Sequence, residues 1–211
     1  MDSMRSETFR GELDAALVEF GISALEEGQI GRLCRHYEMM IEWNERLNLT
    51  RITDPRDAAR LHYAESLYAA RLIGDEKTLL DIGSGAGFPV LPLAVMRQDV
   101  AMTALESNKK KALFLNEVKA DLGLTNLSVM AARLEEVDWR SFDLLTCRAL
   151  DRAEQVLPRV AKRLGPAQRL ILFGGTELLE RMRRLPVSLS SHPIPGSDRR
   201  FVATVRCPTS S

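Results

Sequence analysis

Hydrophobic positions along this chain keep two different periods, and the change between them divides it. In the first part Ile30, Leu33, Cys34, Tyr37, Met40 and Ile41, with Asn44, recur three and four apart, which gathers side chains on one face of an α-helix. Ahead of them Ser23-Ala24-Leu25-Glu26 has the capping-box pattern and predicts a helix with Ser23 as N-cap and Glu26 reaching back. Asp54-Pro55 predicts a second start, because proline at a first helical position gives up no hydrogen bond. The stripe that follows is Ala58, Leu61, Ala64, Leu67, Tyr68 and Leu72, and Gly74 ends it. Residues 1–75 read as a helical region without a strand signal.

After Lys77 short apolar runs alternate with helical stretches. The runs cover 78–82, 100–105, 127–131, 142–147 and 168–173, and Gly123 and Gly165 are read as helix stops. Strands alternating with helices predict βαβ units and a mostly parallel sheet covered on both faces. The tail differs: runs 187–194 and 200–206 are joined by Pro195-Gly196-Ser197-Asp198, turn chemistry that predicts a closing antiparallel hairpin. The expected organisation is an N-terminal helical extension, 1–75, and an α/β domain, 76–211, in one compact unit.

At 211 residues and 45% hydrophobic content the chain can build one substantial core plus a small extension. Formal net charge is zero, so no global basic field advertises a nucleic-acid partner, and such binding has to come from local patches. Cys34, Cys147 and Cys207 are odd in number and far apart. That spacing suits neither a disulfide framework nor a metal site, and a reducing compartment is expected. The segment Met1-Asp2-Ser3-Met4-Arg5-Ser6-Glu7 has no apolar run and no stretch is long enough to span a bilayer. A cytoplasmic monomer without membrane contact is expected.

The densest chemistry lies in Leu79-Leu80-Asp81-Ile82-Gly83-Ser84-Gly85-Ala86-Gly87-Phe88-Pro89, an apolar strand entering a turn with alternating glycines. Gly83, Gly85 and Gly87 let backbone approach a ligand without an intervening Cβ, and strand-to-helix turns are where open α/β sheets hold nucleotide-like ligands. The spacing is not the GxGxxG of dinucleotide sites. Pro89, placed where the next helix would start, has no N–H for a pyrophosphate. Asp81 supplies an acceptor, and Glu106, ending the next apolar run, can accept both hydroxyls of a ribose. A nucleoside without phosphates fits these parts, S-adenosylmethionine being the common one, with no metal.

Further motifs make the reading more specific. They are Trp43-Asn44, Asn48-Leu49-Thr50, His62 followed by Glu65-Ser66, Glu106-Ser107 leading into Lys110-Lys111 and Phe114-Leu115, Arg133-Leu134-Glu135, and Cys147-Arg148-Ala149. With the glycine turn they resemble the RsmG (GidB) family of bacterial small-subunit ribosomal RNA methyltransferases over nearly the whole chain. The resemblance implies a Rossmann-like S-adenosylmethionine-dependent methyltransferase fold with an N-terminal helical extension. It also implies methyl transfer to N7 of a guanosine in 16S ribosomal RNA, presented as RNA, small subunit or assembly intermediate. Cofactor contacts carried over fall on Gly83, Phe88, Leu134, Glu135 and Arg148. Asp81, Gly85, Gly87 and Glu106 complete the pocket.

No acid–base residue is required, because N7 bears a lone pair and no proton. Arg148 and His62 are candidates for positioning the substrate, although a lone histidine is by default a satisfied structural residue. Lys109-Lys110-Lys111 is by itself a solvated face; with Arg181, Arg183, Arg184, Arg199 and Arg200 it can neutralise several phosphates. Lys110, Lys111, Arg199 and Arg200 are therefore candidate RNA contacts. Tyr37 and Trp43 are read as core. The chain departs from the family at Leu61, Glu65 and Glu106, and at Gly174, where a lysine is usual near the substrate mouth. Two alternatives stay open: a methyltransferase for another RNA or a small molecule, and an S-adenosylmethionine-binding protein that has lost activity.

Overall fold

The computed structural model describes residues 2–148 and 153–208, with backbone alone at 2–3 and 153–155; Ala149 of the Cys-Arg-Ala motif lies outside them. Helices α1 (Asp2–Glu19) and α2 (Glu27–Leu47) lead into a longer helical run. That run is α-helical at α3 (Pro55–Ala58), a π-helix at Ala59–Ala64, α-helical again at α4 (Glu65–Ala69) and 3-10 at Ala70–Leu72. Asp54 caps it as expected, its carboxylate accepting the N–H groups of Arg56 and Asp57 at 3.0 and 3.1 Å. The start of α2 is a correction: residues 22–26 are not helical and the helix begins at Glu27, not after Ser23. Gln29 lies near enough for its Oε1 to accept the Glu26 N–H (2.9 Å) while its Nε2 donates to the Val95 carbonyl (3.3 Å). The cap three residues further on thus gains a tertiary contact.

Seven strands follow, β1 (Thr78–Ile82), β2 (Ala101–Leu105), β3 (Leu127–Met130), β4 (Leu144–Arg148), β5 (Arg169–Gly175), β6 (Ser188–Pro193) and β7 (Arg200–Arg206). Their order is β3-β2-β1-β4-β5-β7-β6. The first five are parallel, and β7 runs antiparallel to both β5 and β6, so the expected parallel sheet and closing hairpin are both present. Gly196, at φ 66°, stands third in a turn whose Ser197 N–H reaches the Ile194 carbonyl (3.0 Å), with Pro195 second; this is the chemistry of a type II turn. Arg60, paired with Glu19 at 2.9 Å, also donates to the Pro195 carbonyl (3.1 Å) and ties this turn to the helices.

The helices between strands are α5 (Val90–Met96), α6 (Lys109–Asp121), α7 (Ala153–Ala161) and α8 (Thr176–Arg183). Gly123 follows α6 at φ 62°, a helix-stop geometry that suits glycine. Gly165 is not such a stop: α7 has already ended at Ala161, and the Gly165 N–H is held by Gln168 Oε1 (2.9 Å). Pro89 stands one residue before the first helical position of α5 rather than in it.

Strand alternation sorts the core. Leu80, Ile82, Leu145, Cys147, Leu170 and Leu172 pack with Leu157, Val160, Leu179 and Met182 from α7 and α8. Leu79, Met102, Ala104, Leu144, Ile171 and Phe173 share the other cluster with the helices of the first 75 residues. There Phe9 stacks on Tyr37 at 4.1 Å and 6°, and Tyr63 meets Phe9 edge-on. Cys34 and Cys147 are buried and form no disulfide, as expected of thiols in apolar patterns. Among the described residues no helix is long and apolar enough to cross a membrane.

Candidate active site

Asp81, Thr146 and Arg148 have the same strand parity as Leu79 and Leu144, so all three face the helical region near the carboxyl ends of β1 and β4. At β1 the strand order reverses, between β2 on one side and β4 on the other, and such a switch point opens a crevice. A cleft of about 380 Å³ lies there. It is lined from the sheet by Gly83, Ser84, Gly85, Ala86, Phe88, Glu106, Ser107, Lys111 and Arg148, and from the helical region by Leu49, Thr50 and His62.

The sheet wall is built on left-handed glycines. Gly83 (φ 74°) and Gly85 (φ 56°) both line the cleft, and a side chain at either would strain the loop. The Gly83 and Ser84 N–H groups donate to the Leu105 carbonyl at 2.8 and 3.1 Å, tying the loop to the end of β2. Glu106 continues this bracing: one carboxylate oxygen accepts the Gly85 N–H (2.9 Å) and the other the Asn108 N–H (2.8 Å). Asn108 in turn caps α6 by accepting from Lys110 and Lys111.

Asp81 is fully buried beneath this loop. Its Oδ1 accepts from the Thr146 hydroxyl (2.8 Å), while its Oδ2 has no partner. Burial pushes its carboxyl up to about 7, against hydrogen bonds that favour the charged form. Gly87 does not reach the cleft. A Cβ there would stand 2.0 Å from Leu91 Cδ1, so its lack of a side chain serves the packing of α5.

The helical wall is a chain of polar groups. Asn44 Oδ1 accepts the Thr50 N–H (2.8 Å), and Asn48 turns the backbone at φ 47°. The Trp-Asn and Asn-Leu-Thr motifs are therefore one device that closes α2 and aims Thr50. Thr50 Oγ1 accepts the Ile52 N–H (3.0 Å) and lies 2.9 Å from His62 Nε2. His62 stacks on Phe88 at 4.4 Å and 16°.

His62, Glu65 and Ser66 are all buried, while Leu61, read as part of the apolar stripe, is partly exposed. The π-helical segment at Ala59–Ala64 shifts the register of these faces. Burial, then the Arg148 charge, push the imidazole down to about 3, so it is neutral.

Arg148, 8% exposed, is not a surface ion-pair residue. It donates to the carbonyls of Leu61 and His62, faces His62 Nδ1 at 3.5 Å, and pairs with Glu65 at 3.2 Å. Burial pushes its guanidinium down to about 10. Glu65 also receives Arg200 (2.7 Å), and its Oε1 is left without a partner. His36, which the sequence reading missed, braces both walls from below. Its Nε2 donates to the Ala86 carbonyl (3.0 Å) and its Nδ1 accepts from the Tyr63 hydroxyl (3.0 Å). Its position three residues after Leu33, on the buried stripe, is the signal that could have found it.

Of the expected site residues, the cleft gathers Gly83, Gly85, Phe88, Glu106, Arg148 and His62, with Lys111 in its lining. Leu134 and Glu135 do not reach it. They line a separate groove of about 470 Å³ with Trp139, Val156 and Arg159. Lys110 and Arg199 are exposed, whereas Arg200 spends its charge partly on Glu65. At Gly174 a Cβ would lie 2.7 Å from Leu178 Cδ2, so Leu178 occupies the space of a side chain there. Arg200 is the register partner of the next residue, Gly175, and puts a cation at that strand end.

Chemically the cleft offers acceptors under a glycine-rich loop and two stacked rings, one of them a neutral imidazole. This suits a nucleoside carrying a positive charge: the orphaned Asp81 Oδ2 wants a donor, and Gly83 and Gly85 leave room for it. The GidB family, described as rRNA small subunit methyltransferase G, matches residues 29–197. Ribosomal RNA small subunit methyltransferase G of Solibacter usitatus is 38% identical over 151 residues, 70% of this chain and 71% of that protein. Its namesake from Sorangium cellulosum is 34% identical over 92% of this chain and 81% of that protein. Among solved structures, a SAM dependent methyltransferase from Aquifex aeolicus superposes with a TM-score of 0.59 at 14% identity, covering 75% of this chain and 96% of that one. That likeness is one of fold.

Proposed function

The chain belongs to the rRNA small subunit methyltransferase G family, and we propose that it transfers a methyl group from S-adenosylmethionine to N7 of a guanosine in small-subunit ribosomal RNA. The observation that carries this reading is the glycine loop braced open by Glu106 at the strand-order switch, in a chain matched by that family from residue 29 to 197.

When bound, S-adenosylmethionine supplies a methyl on a cationic sulfur, whose C–S bond breaks onto sulfur as the N7–C bond forms, so no proton moves. The protein's work is then placement and solvent exclusion. Glu106, already fixed through Gly85 and Asn108, keeps lone pairs for ribose hydroxyls. Asp81 offers its free oxygen to a cationic or hydroxyl donor, directly or through water. The stacked rings of Phe88 and His62 give an apolar lining that favours the more diffuse charge of a methylated purine. No general base is needed, and the neutral, fully engaged His62 is not built as one.

The N7 edge is deep and narrow in paired A-form RNA, so the target nucleotide has to lie in a loop or bulge. The exposed Lys110 and Arg199, with Lys111 at the cleft, would supply cations for phosphates around it. The test is transfer of tritiated methyl to ribosomal RNA from a strain lacking this gene. Label confined to N7 of one small-subunit guanosine is expected. Label on small molecules only, or none, overturns the reading.

A further inference from the structure

We propose that Thr50 is a specificity-determining residue that presents a hydroxyl hydrogen to the carbonyl oxygen beside the accepting nitrogen of the base. The argument is one of hydrogen-bond direction. A guanidinium can only donate, and Arg148 faces His62 Nδ1 at 3.5 Å. An N–H on that nitrogen would point at another donor, so Nδ1 carries the lone pair and the proton of the neutral ring sits on Nε2. Nε2 then donates to Thr50 Oγ1 at 2.9 Å. The same oxygen accepts the Ile52 N–H at 3.0 Å. A hydroxyl has two acceptor lone pairs and one hydrogen. Both lone pairs are taken inside the protein, which leaves only the hydrogen, and Thr50 lines the cleft.

Thr50 is thus held in one polarity by groups on three separate elements. Asn44 fixes its backbone from the end of α2, His62 fixes its oxygen from the π-helical segment, and Arg148 fixes His62 from the end of β4. A donor locked in this way distinguishes bases. On the edge that carries N7, guanine presents the O6 acceptor and adenine the N6 amino donor. Thr50 therefore accepts the first and opposes the second. Arg148, whose Nη1 and Nη2 are engaged by Leu61, His62 and Glu65, acts as a positioning residue through His62. The role of Thr50 rests on the guanosine-N7 reading given above.

The experiment uses small-subunit RNA made by splinted ligation, naked and assembled, with guanosine, inosine or 2-aminopurine riboside at the acceptor position. Inosine keeps O6; 2-aminopurine keeps N7 but lacks O6. Wild type, Thr50→Val and Thr50→Ser are compared by kcat/KM for methyl transfer and by calorimetric affinity for S-adenosylhomocysteine. Wild type is expected to use guanosine and inosine alike and 2-aminopurine about ten- to a hundredfold less well. Thr50→Val should lose a similar factor on guanosine and almost nothing on 2-aminopurine, Thr50→Ser should restore discrimination, and ligand affinity should stay the same. The proposal is overturned if Thr50→Val matches wild type on guanosine, if it loses equally on all three RNAs, or if its loss is one of ligand affinity. A wild-type protein that binds S-adenosylhomocysteine but methylates none of these RNAs overturns the guanosine-N7 reading, and Thr50's role with it. Transfer without any Thr50-dependent discrimination overturns Thr50 alone.

Discussion

The two walls of the cleft offer a ligand opposite groups, while a second unpaired acceptor, Glu65 Oε1, lies behind the helical wall beside Arg148 and Arg200. On the sheet wall the spare group is an acceptor, Asp81 Oδ2, fully buried under the glycine loop. On the helical wall the polar chain from Asn44 through Thr50 and His62 to Arg148 and Glu65 ends, at the cleft, in a spare donor. A buried unmatched acceptor costs about 1–3 kcal/mol, and burial answers by moving the Asp81 carboxyl towards its neutral form near pH 7. A donor at the cleft surface carries no such cost, because water can accept from it. One wall is thus held in a state that a cationic ligand relieves, and the other in a fixed polarity that a neutral base edge completes.

The largest expected effect breaks the helical wall. Arg148→Met leaves Glu65 with Arg200 as its remaining cation and unlocks the His62 tautomer. A buried pair opened on one side loses about 3–5 kcal/mol, read as a fall in the midpoint of thermal unfolding. An unchanged midpoint would show that this wall does not rest on the pair.

Next comes the sheet wall. Glu106→Ala frees the Gly85 and Asn108 N–H groups and should weaken S-adenosylhomocysteine about a hundredfold by calorimetry, close to 2.8 kcal/mol. A loss below threefold would mean the loop keeps its shape without the carboxylate.

The two walls should also answer pH with opposite slopes. Asp81, raised to about 7, contributes stability that is complete below the ordinary aspartate range and is lost as pH rises through 7. His36 and His62, depressed to about 4 and about 3 by burial, contribute stability that is complete above the ordinary histidine value and is lost as pH falls towards those values. Both effects fall in about the same range, pH 4 to 7, and oppose each other, so Asp81→Asn should remove the fall and leave the unfolding midpoint rising more steeply with pH there. Binding of a cationic ligand near pH 6 should release a proton from wild type, seen by calorimetry in two buffers, and none from Asp81→Asn. Equal release from both proteins would exclude Asp81 as its source.

The smallest effect lies outside both walls. Lys110→Gln with Lys111→Gln should lower RNA affinity a few-fold. The slope of log affinity against log salt should fall by about 0.7 for each phosphate that is no longer neutralised. No change in slope would place those lysines on a solvated face.

The five parallel strands were legible because a sheet buried on both faces leaves apolar runs bounded by polar residues, and the hairpin because its turn chemistry marks it. Each of the seven runs became a strand within about two residues of its expected ends. The helix start at Ser23 was misread for a physical reason. Ser-x-x-Glu is a local signal, and the cap at Glu26 prevails through a contact of Gln29 with Val95, on a helix far along the chain. The π-helical segment was not legible either. Its irregular register turns His62, Glu65 and Ser66 inward together, and what makes that bearable is Arg148 on β4. Asp81 and Glu106 were read from the strand ends that carry them. Thr50 stood inside a recognised motif, yet nothing local showed what it faces.

By itself the sequence determined the alternation of helical and strand periods, the glycine loop and the acids at the ends of β1 and β2, because apolar spacing fixes which face is buried and glycine fixes where backbone can turn. Only the tertiary structure decided which way the hydrogen bonds run through Thr50, His62 and Arg148. A histidine tautomer depends on the donor it meets, and here that donor stands 86 residues away along the chain.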